Sequence, residues 1–222
     1  MSYSAYIGIK KLDGTVDAIL NIGEGYPKEC GKKLLQYYRS PKRVKDLISQ
    51  GQIRHLGKYL HYKFDCNDKV ADDNYDITYI CMRDERNWKE KEPEIFSYNN
   101  LTSFKEDFFN VSEKNWITIT GYLFDEETRQ WFFTPGSKEE DFVPLNAENY
   151  AKVGGDDYYD ETKREYESFT SNLIPEELME KIDVQHRTES VEDYLLRYYL
   201  SKTLTEDESF TAESHENNFH LK

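Results

Sequence analysis

"AYIGIKKLDGTVDAILNI", residues 5–22, sets two runs of alternating apolar and polar side chains on either side of Asp13-Gly14. Asp-Gly tolerates the positive φ that a tight turn between antiparallel strands requires, so this stretch reads as a β-hairpin that opens the fold. The next segment, "GEGYPKECGKKLLQYY", residues 23–38, carries two glycines ahead of a helical apolar pattern of Leu34, Leu35, Tyr37 and Tyr38. A glycine-rich loop between strand and helix raises the question of a phosphate site. The spacing argues against one. The dinucleotide pattern G-x-G-x-x-G fails because Lys28 stands at the third glycine and Gly31 comes three positions late, and no P-loop Gly-Lys-Ser/Thr follows. Pro27 also removes an amide. The expectation is therefore architectural: Gly25 relieves a turn, and Tyr26 and Pro27 set the start of the helix.

Beyond this point Ser40-Pro41 restarts a second helix, with Ser as cap and Pro in the first turn. Val44, Leu47 and Ile48 form its buried stripe, and Gly51 ends it. Strands are expected at "ITYICMR", "IFSY", "WITITGYLF" and "QWFFT", the last two joined as a hairpin by "DEETR", with a helix around "LTSFKEDFF" started by Asn99 or Asn100. The fold class is thus α+β: an antiparallel or mixed sheet of about five or six strands with a helical hairpin, plus C-terminal helices. Residues 1–155 form the core domain, 156–204 a helical extension, and 205–222 an acidic tail expected to be disordered. "VGGDDYYDETK" reads as a linker or exposed loop, followed by helices at "PEELMEKI" and "SVEDYLLRYYLSKTL".

Composition narrows the function classes. Apolar residues make up 37%, charged residues 32% and aromatic residues 15% of 222 residues, enough large rings to build a core in a polar chain. No apolar run reaches the roughly 20 residues that span a bilayer, and the start lacks the pattern of a signal peptide, so a cytosolic protein with no membrane contact is expected. Cys30, Cys66 and Cys81 form no C-x-x-C pair, and the histidine spacings His55/His61 and His215/His220 miss the i, i+4 pair of a zinc helix. Neither metal nor cofactor is expected, and no G-x-S-x-G signals a hydrolase. Cys30, near a helix start with Lys28 and Lys32 beside it, has a setting that would lower a thiol pKa, but without an identifiable histidine partner.

Charge is segregated. The net charge is −14, yet residues 1–60 carry +6 and the remainder −20. Lys32, Lys33, Arg39, Lys42 and Arg43, interleaved with tyrosines in residues 28–63, are the candidate nucleic-acid-binding set, since cations and aromatic platforms suit RNA or single-stranded DNA. The same cations also suit the wet side of a helix or an internal match to the acidic remainder. On the acidic side Glu139, Glu140, Asp141, Asp156, Asp157, Asp160 and Glu161 are the candidate partner-binding set, because carboxylates on a folded surface can imitate a phosphate path.

In order along residues 5–134, "IGIKKLDGTVDAILNIGEGYP", "GKKLLQYYRSPKRVKDLISQGQIRHLG", "YICMRDERNW" and "GYLFDEETRQWFF" resemble a family of small phage and prophage proteins of unassigned function. That family's pattern has Asp before the Gly-Tyr-Pro step, where this chain carries Glu24. The resemblance implies a phage-associated origin and supplies no catalytic residues. With the acidic excess it leads to the expectation of a non-catalytic binding protein, a counter-defence inhibitor of the anti-CRISPR kind that engages a host nucleic-acid-handling protein such as a nuclease in the host cytosol. The alternative is an RNA or single-stranded DNA binding module using residues 28–63. Self-association into a homo-oligomer stays open.

Overall fold

A computed structural model describes residues 4–60, 78–80, 92–115, 119–134, 141–153, 155–171 and 173–181. The expected helix at 190–204 and the acidic tail at 205–222 lie outside the described residues. β1 (Ser4–Lys10) and β2 (Val16–Asn21) form the expected hairpin, paired from Ala5↔Asn21 to Lys10↔Val16. Gly14 has φ of 84°, and the Asp13 carboxylate accepts from the amide and hydroxyl of Thr15, so the turn chemistry acts as the dipeptide implies.

After β2 a single wide π-helical turn, Pro27–Gly31, runs into α1 (Lys32–Tyr37), and α2 (Pro41–Ile48) follows. Ser40 caps α2 by accepting from the amide of Arg43, and Gly51 ends it at φ of 73°. These helices cross over to β3 (Ile53–His55), parallel to β2 at Asn21↔Ile53, with β4 (Tyr79–Ile80) on its far side. β5 (Phe96–Tyr98) takes the other half of the same β2 edge, pairing Val16↔Tyr98 to Ala18↔Phe96. α3 (Leu101–Asn115), whose Asn100 side chain accepts from the Ser103 amide, leads to β6 (Ile119–Asp125). β6 lies parallel to β1 from Ser4↔Ile119 to Lys10↔Asp125 and antiparallel to β7 (Gln130–Phe133), which pairs with β8 (Val143–Pro144).

The sheet is mixed, with order β4-β3-β2-β1-β6-β7-β8 and β5 off that path. It holds eight strand segments where about five or six were expected; the short β3 and β8 fell outside the sequence reading, being too short for alternation to register.

Alternation along the central strands feeds two layers. Ala5, Ile7 and Ile9 of β1, with Tyr122 and Phe124 of β6, join Leu34, Tyr38, Val44 and Leu47 of the helical hairpin. Tyr6 and Leu123 face the other way, against Phe104 and Phe108 of α3. Full burial of each such side chain contributes about 1.5–3 kcal/mol, so the five-residue buried run of β1 marks it as the spine of the sheet.

The expected linker is not a loop. Asp156–Tyr158 is a 3-10 turn that continues into α5 (Tyr159–Ser171), and α4 (Ala147–Lys152) precedes it. Tyr150 of α4 and Phe169 of α5 meet edge-on with ring centroids 5.6 Å apart, and both belong to the cluster that contains Ile7 and Leu34. Residues on either side of position 155 thus share one core. Residues 176–181 are helical.

Candidate functional site

The basic hairpin turns most of its cations toward the protein itself. Arg43, only 3% exposed, donates to the carbonyls of Tyr37 and Lys58 and lies over the Tyr38 ring at 4.9 Å. Tyr38 in turn donates to the Gly57 carbonyl at 2.6 Å, and its own carbonyl accepts from the Trp131 indole at 2.7 Å. Arg39 donates to the carbonyl of Ile174. Lys32 sits 5.6 Å from the centre of the Phe169 ring, Lys28 pairs with Glu165 at 3.2 Å, and Lys45 pairs with Glu126. Of the candidate nucleic-acid-binding set, Lys42 alone is exposed. Its cations therefore do not form one open face. The period of α2 places Arg43 beside Val44 and Leu47 on the inner stripe, where a guanidinium can serve as a five-donor strut between chain segments.

The loop after β2 holds a different arrangement. Glu24 has φ of 54°, a left-handed conformation rare for a side-chain-bearing residue, and the flanking glycines fit against backbone. A Cβ on Gly23 would stand 2.6 Å from the Arg54 carbonyl oxygen, and one on Gly25 would stand 2.3 Å from that of Ser4. Gly25 is thus needed for close approach, while the positive φ falls on Glu24. The Glu24 carboxylate lies 2.7 Å from His55 Nδ1 and 3.5 Å from Lys33 Nζ, and Lys33 Nζ lies 3.3 Å from His55 Nε2. Beneath them Asn21 donates its amide to Cys30 Sγ at 3.9 Å. The expectation of a lowered Cys30 pKa is corrected here: burial pushes the thiol up to about 12, outweighing Asn21 and Lys33, and leaves it protonated and inert.

The candidate acidic residues fall into separate groups. Asp141 is exposed but paired with Lys105 at 2.6 Å, and that hydrogen bond, with one from the Phe142 amide, holds its carboxyl below the usual range. Glu148, outside the candidate set, is held down in the same way by Lys163 and then Tyr159. Asp157, Asp160 and Glu161 are exposed along the 3-10 turn and first turns of α5, and Glu167 follows two turns later. Among the described residues, the ion pairs of this helix take Lys163 to Glu148 and Glu165 to Lys28, and none takes Asp157, Asp160, Glu161 or Glu167. Tyr158, 61% exposed, stands within this acidic run. Asp156 lies in the same 3-10 turn; Glu139 and Glu140 lie outside the described residues.

Sequence reasoning did not single out Glu24, His55 and Lys33 as a group, because loop, strand and helix contribute one residue each and no local spacing links them. Nor did it identify α5, whose inner positions Thr162, Tyr166 and Phe169 follow a helical period. A groove of about 480 Å³ between α1, β7 and β8 is bordered by Leu35, Trp131, Leu145 and Arg39, with Arg129 and Glu176 paired at 2.8 Å at its edge. No set of three or more His, Cys, Asp or Glu side chains among the described residues is placed to hold a metal ion. No described helix is long and apolar enough to cross a membrane. No family model, curated protein or solved structure matches the chain.

Proposed function

We propose that this protein acts by binding, presenting the acidic outer face of the 3-10 turn and α5 to the basic groove of a nucleic-acid-handling protein. The reading includes a phage-associated origin and a counter-defence role, with a host nuclease or defence effector as target. The observation that carries it is the display of Asp157, Asp160, Glu161 and Glu167 on a helix whose other side is anchored by Thr162, Tyr166 and Phe169. Carboxylates fixed on a docked helix lose little freedom on binding, and Tyr158 supplies an aromatic anchor among them. Attraction of this kind raises the association rate and weakens with salt.

The test is competition with double-stranded DNA for guide-loaded CRISPR effector complexes and other basic nucleases. The protein displaces DNA from its target, and the combined substitution Asp157→Asn, Asp160→Asn and Glu161→Gln weakens this by about ten-fold or more, the equivalent of roughly 1.4 kcal/mol. Displacement indifferent to both salt and these substitutions removes the reading. The alternative, RNA or single-stranded DNA binding through residues 28–63, draws less support because Arg43 and Lys33 are engaged inside the fold. Gel shifts with Lys32→Ala, Lys33→Ala, Arg39→Ala and Lys42→Ala address it separately.

A further inference from the structure

We propose that the groove between α1, β7 and β8 is a binding site for a small amphiphilic carboxylate, an acid with an apolar chain and a single negative end. Its volume of about 480 Å³ lies within the roughly 300–1,000 Å³ of small-molecule sites, and its lining combines apolar side chains with a few charged ones. Leu35, Trp131 and Leu145 supply the carbon surface. Arg39, Arg129 and Glu176 supply the charge.

The charges do not cancel. Arg129 and Glu176 are paired at 2.8 Å, which accounts for one guanidinium. Arg39, half-buried, donates to the Ile174 carbonyl, and among the described residues no carboxylate comes within ion-pair distance of it. A guanidinium has five N–H donors in a planar fork, so after that one bond Arg39 keeps donors and a full charge for a carboxylate. A cation partly withdrawn from water gains more from such a partner than one on open surface.

The frame around these groups is already set. Trp131 donates its indole N–H to the Tyr38 carbonyl at 2.7 Å, so its polar atom is engaged in the core and what it brings to the groove is carbon. The Leu145 amide donates to the Trp131 carbonyl at 2.8 Å, and these two residues, 5% and 4% exposed, form the floor. Arg39 and Arg129 hold residues 174–176 at the rim, and Met179 beyond them is buried. Little ordering is left for binding to accomplish, which favours a small ligand. The lining residues lie outside α5, so this proposal and the acidic-face reading can fail separately.

The experiment titrates the full chain with octanoate, octanamide and acetate at neutral pH by isothermal calorimetry. Octanoate is expected to bind saturably at one site, about ten-fold tighter than octanamide, which has the same shape without the charge. Acetate, with the charge but no chain to bury, is expected to be weaker by about a hundred-fold. Arg39→Gln keeps a donor for the Ile174 carbonyl but loses the charge, and should weaken octanoate about ten-fold. Lys42→Gln, exposed and outside the groove, should change nothing. Glu176→Gln removes a like charge and frees Arg129, and should tighten octanoate about three-fold. No saturable octanoate binding overturns the proposal, as does octanoate binding that Arg39→Gln leaves unchanged. Octanamide binding as tightly as octanoate also overturns it, and would make the groove an apolar contact surface for another protein. Should Arg39→Gln fail to fold, the unsubstituted protein decides: an octanoate preference of about ten-fold that shrinks with salt supports the site, and equal affinities overturn it.

Discussion

The basic hairpin and the acidic helix α5 differ less in how much charge they carry than in where it points. In the π-helical turn, α1 and α2 most cations turn inward or sideways: Arg43 braces two carbonyls, Lys33 meets Glu24 and His55, and Lys28 and Lys32 close onto α5. In α5 it is the apolar and hydroxyl side chains that turn inward, leaving Asp157, Asp160, Glu161 and Glu167 outside. A run of like charge in a sequence therefore reports surface potential only after its partners are known. The hairpin uses charge as framework, and the helix keeps it for solvent or a partner.

This contrast breaks most sharply at Arg43. Arg43→Met removes the donors that Tyr37 and Lys58 use in the interior and should destabilise the protein by about 4 kcal/mol, at roughly 1–3 kcal/mol for each carbonyl left without them. Lys42→Met, one position away and exposed, should stay within about 0.5 kcal/mol. Urea unfolding measures both. A mild Arg43 variant would return that residue to the surface set.

Phe169→Ala comes next, at about 3 kcal/mol, because it empties a site bounded by Tyr150 and Tyr166. It sharpens the comparison from the other side. No charge changes, yet loosening α5 should also weaken displacement of DNA from the target, read in the same competition assay.

Acid should act through paired carboxylates. Hydrogen bonds from Lys10 and the Thr128 and Glu127 amides hold Asp125 below its usual range even though burial pushes the other way. The unfolded chain then takes up the proton first, so this contribution is complete above the unfolded value of about 3.9 and fades as pH falls through the lower folded value. Below about pH 4, Asp125→Asn should flatten the fall in thermal midpoint, modestly because solvent screens the pair. The smallest effect belongs to the exposed face of α5. Replacing Asp157, Asp160 and Glu161 by Asn, Asn and Gln should leave stability within about 0.5 kcal/mol, by the same urea measurement, while changing binding.

Local signals in the sequence carried much of the fold. Asp13-Gly14 announced the first hairpin, Ser40-Pro41 the start of α2 and Gly51 its end, since each reports backbone geometry within a few residues. The parallel contact of β1 with β6 had no such mark, because it joins residues 115 positions apart. α5 was hidden by Gly154-Gly155 and the acids after them, a composition that imitates a loop while Thr162, Tyr166 and Phe169 keep a helical period. Of the candidate site, Asp157, Asp160 and Glu161 emerged as neighbours on one face, whereas Asp141 is tied elsewhere to Lys105. The Glu24, His55 and Lys33 group could not be read beforehand, for its members meet only once β2 and β3 align.

The β1–β6 pairing also imposes an order on synthesis. At about 5–20 residues per second, the ribosome needs roughly 6 to 23 s after making β1 before its parallel neighbour exists. Throughout that interval the hairpin of residues 4–21 offers an open backbone edge with Ile7 and Ile9 alongside, an arrangement prone to pairing with other chains. Fragments ending before residue 119 should consequently collect in the insoluble fraction, and any useful shortening of this protein has to retain β6.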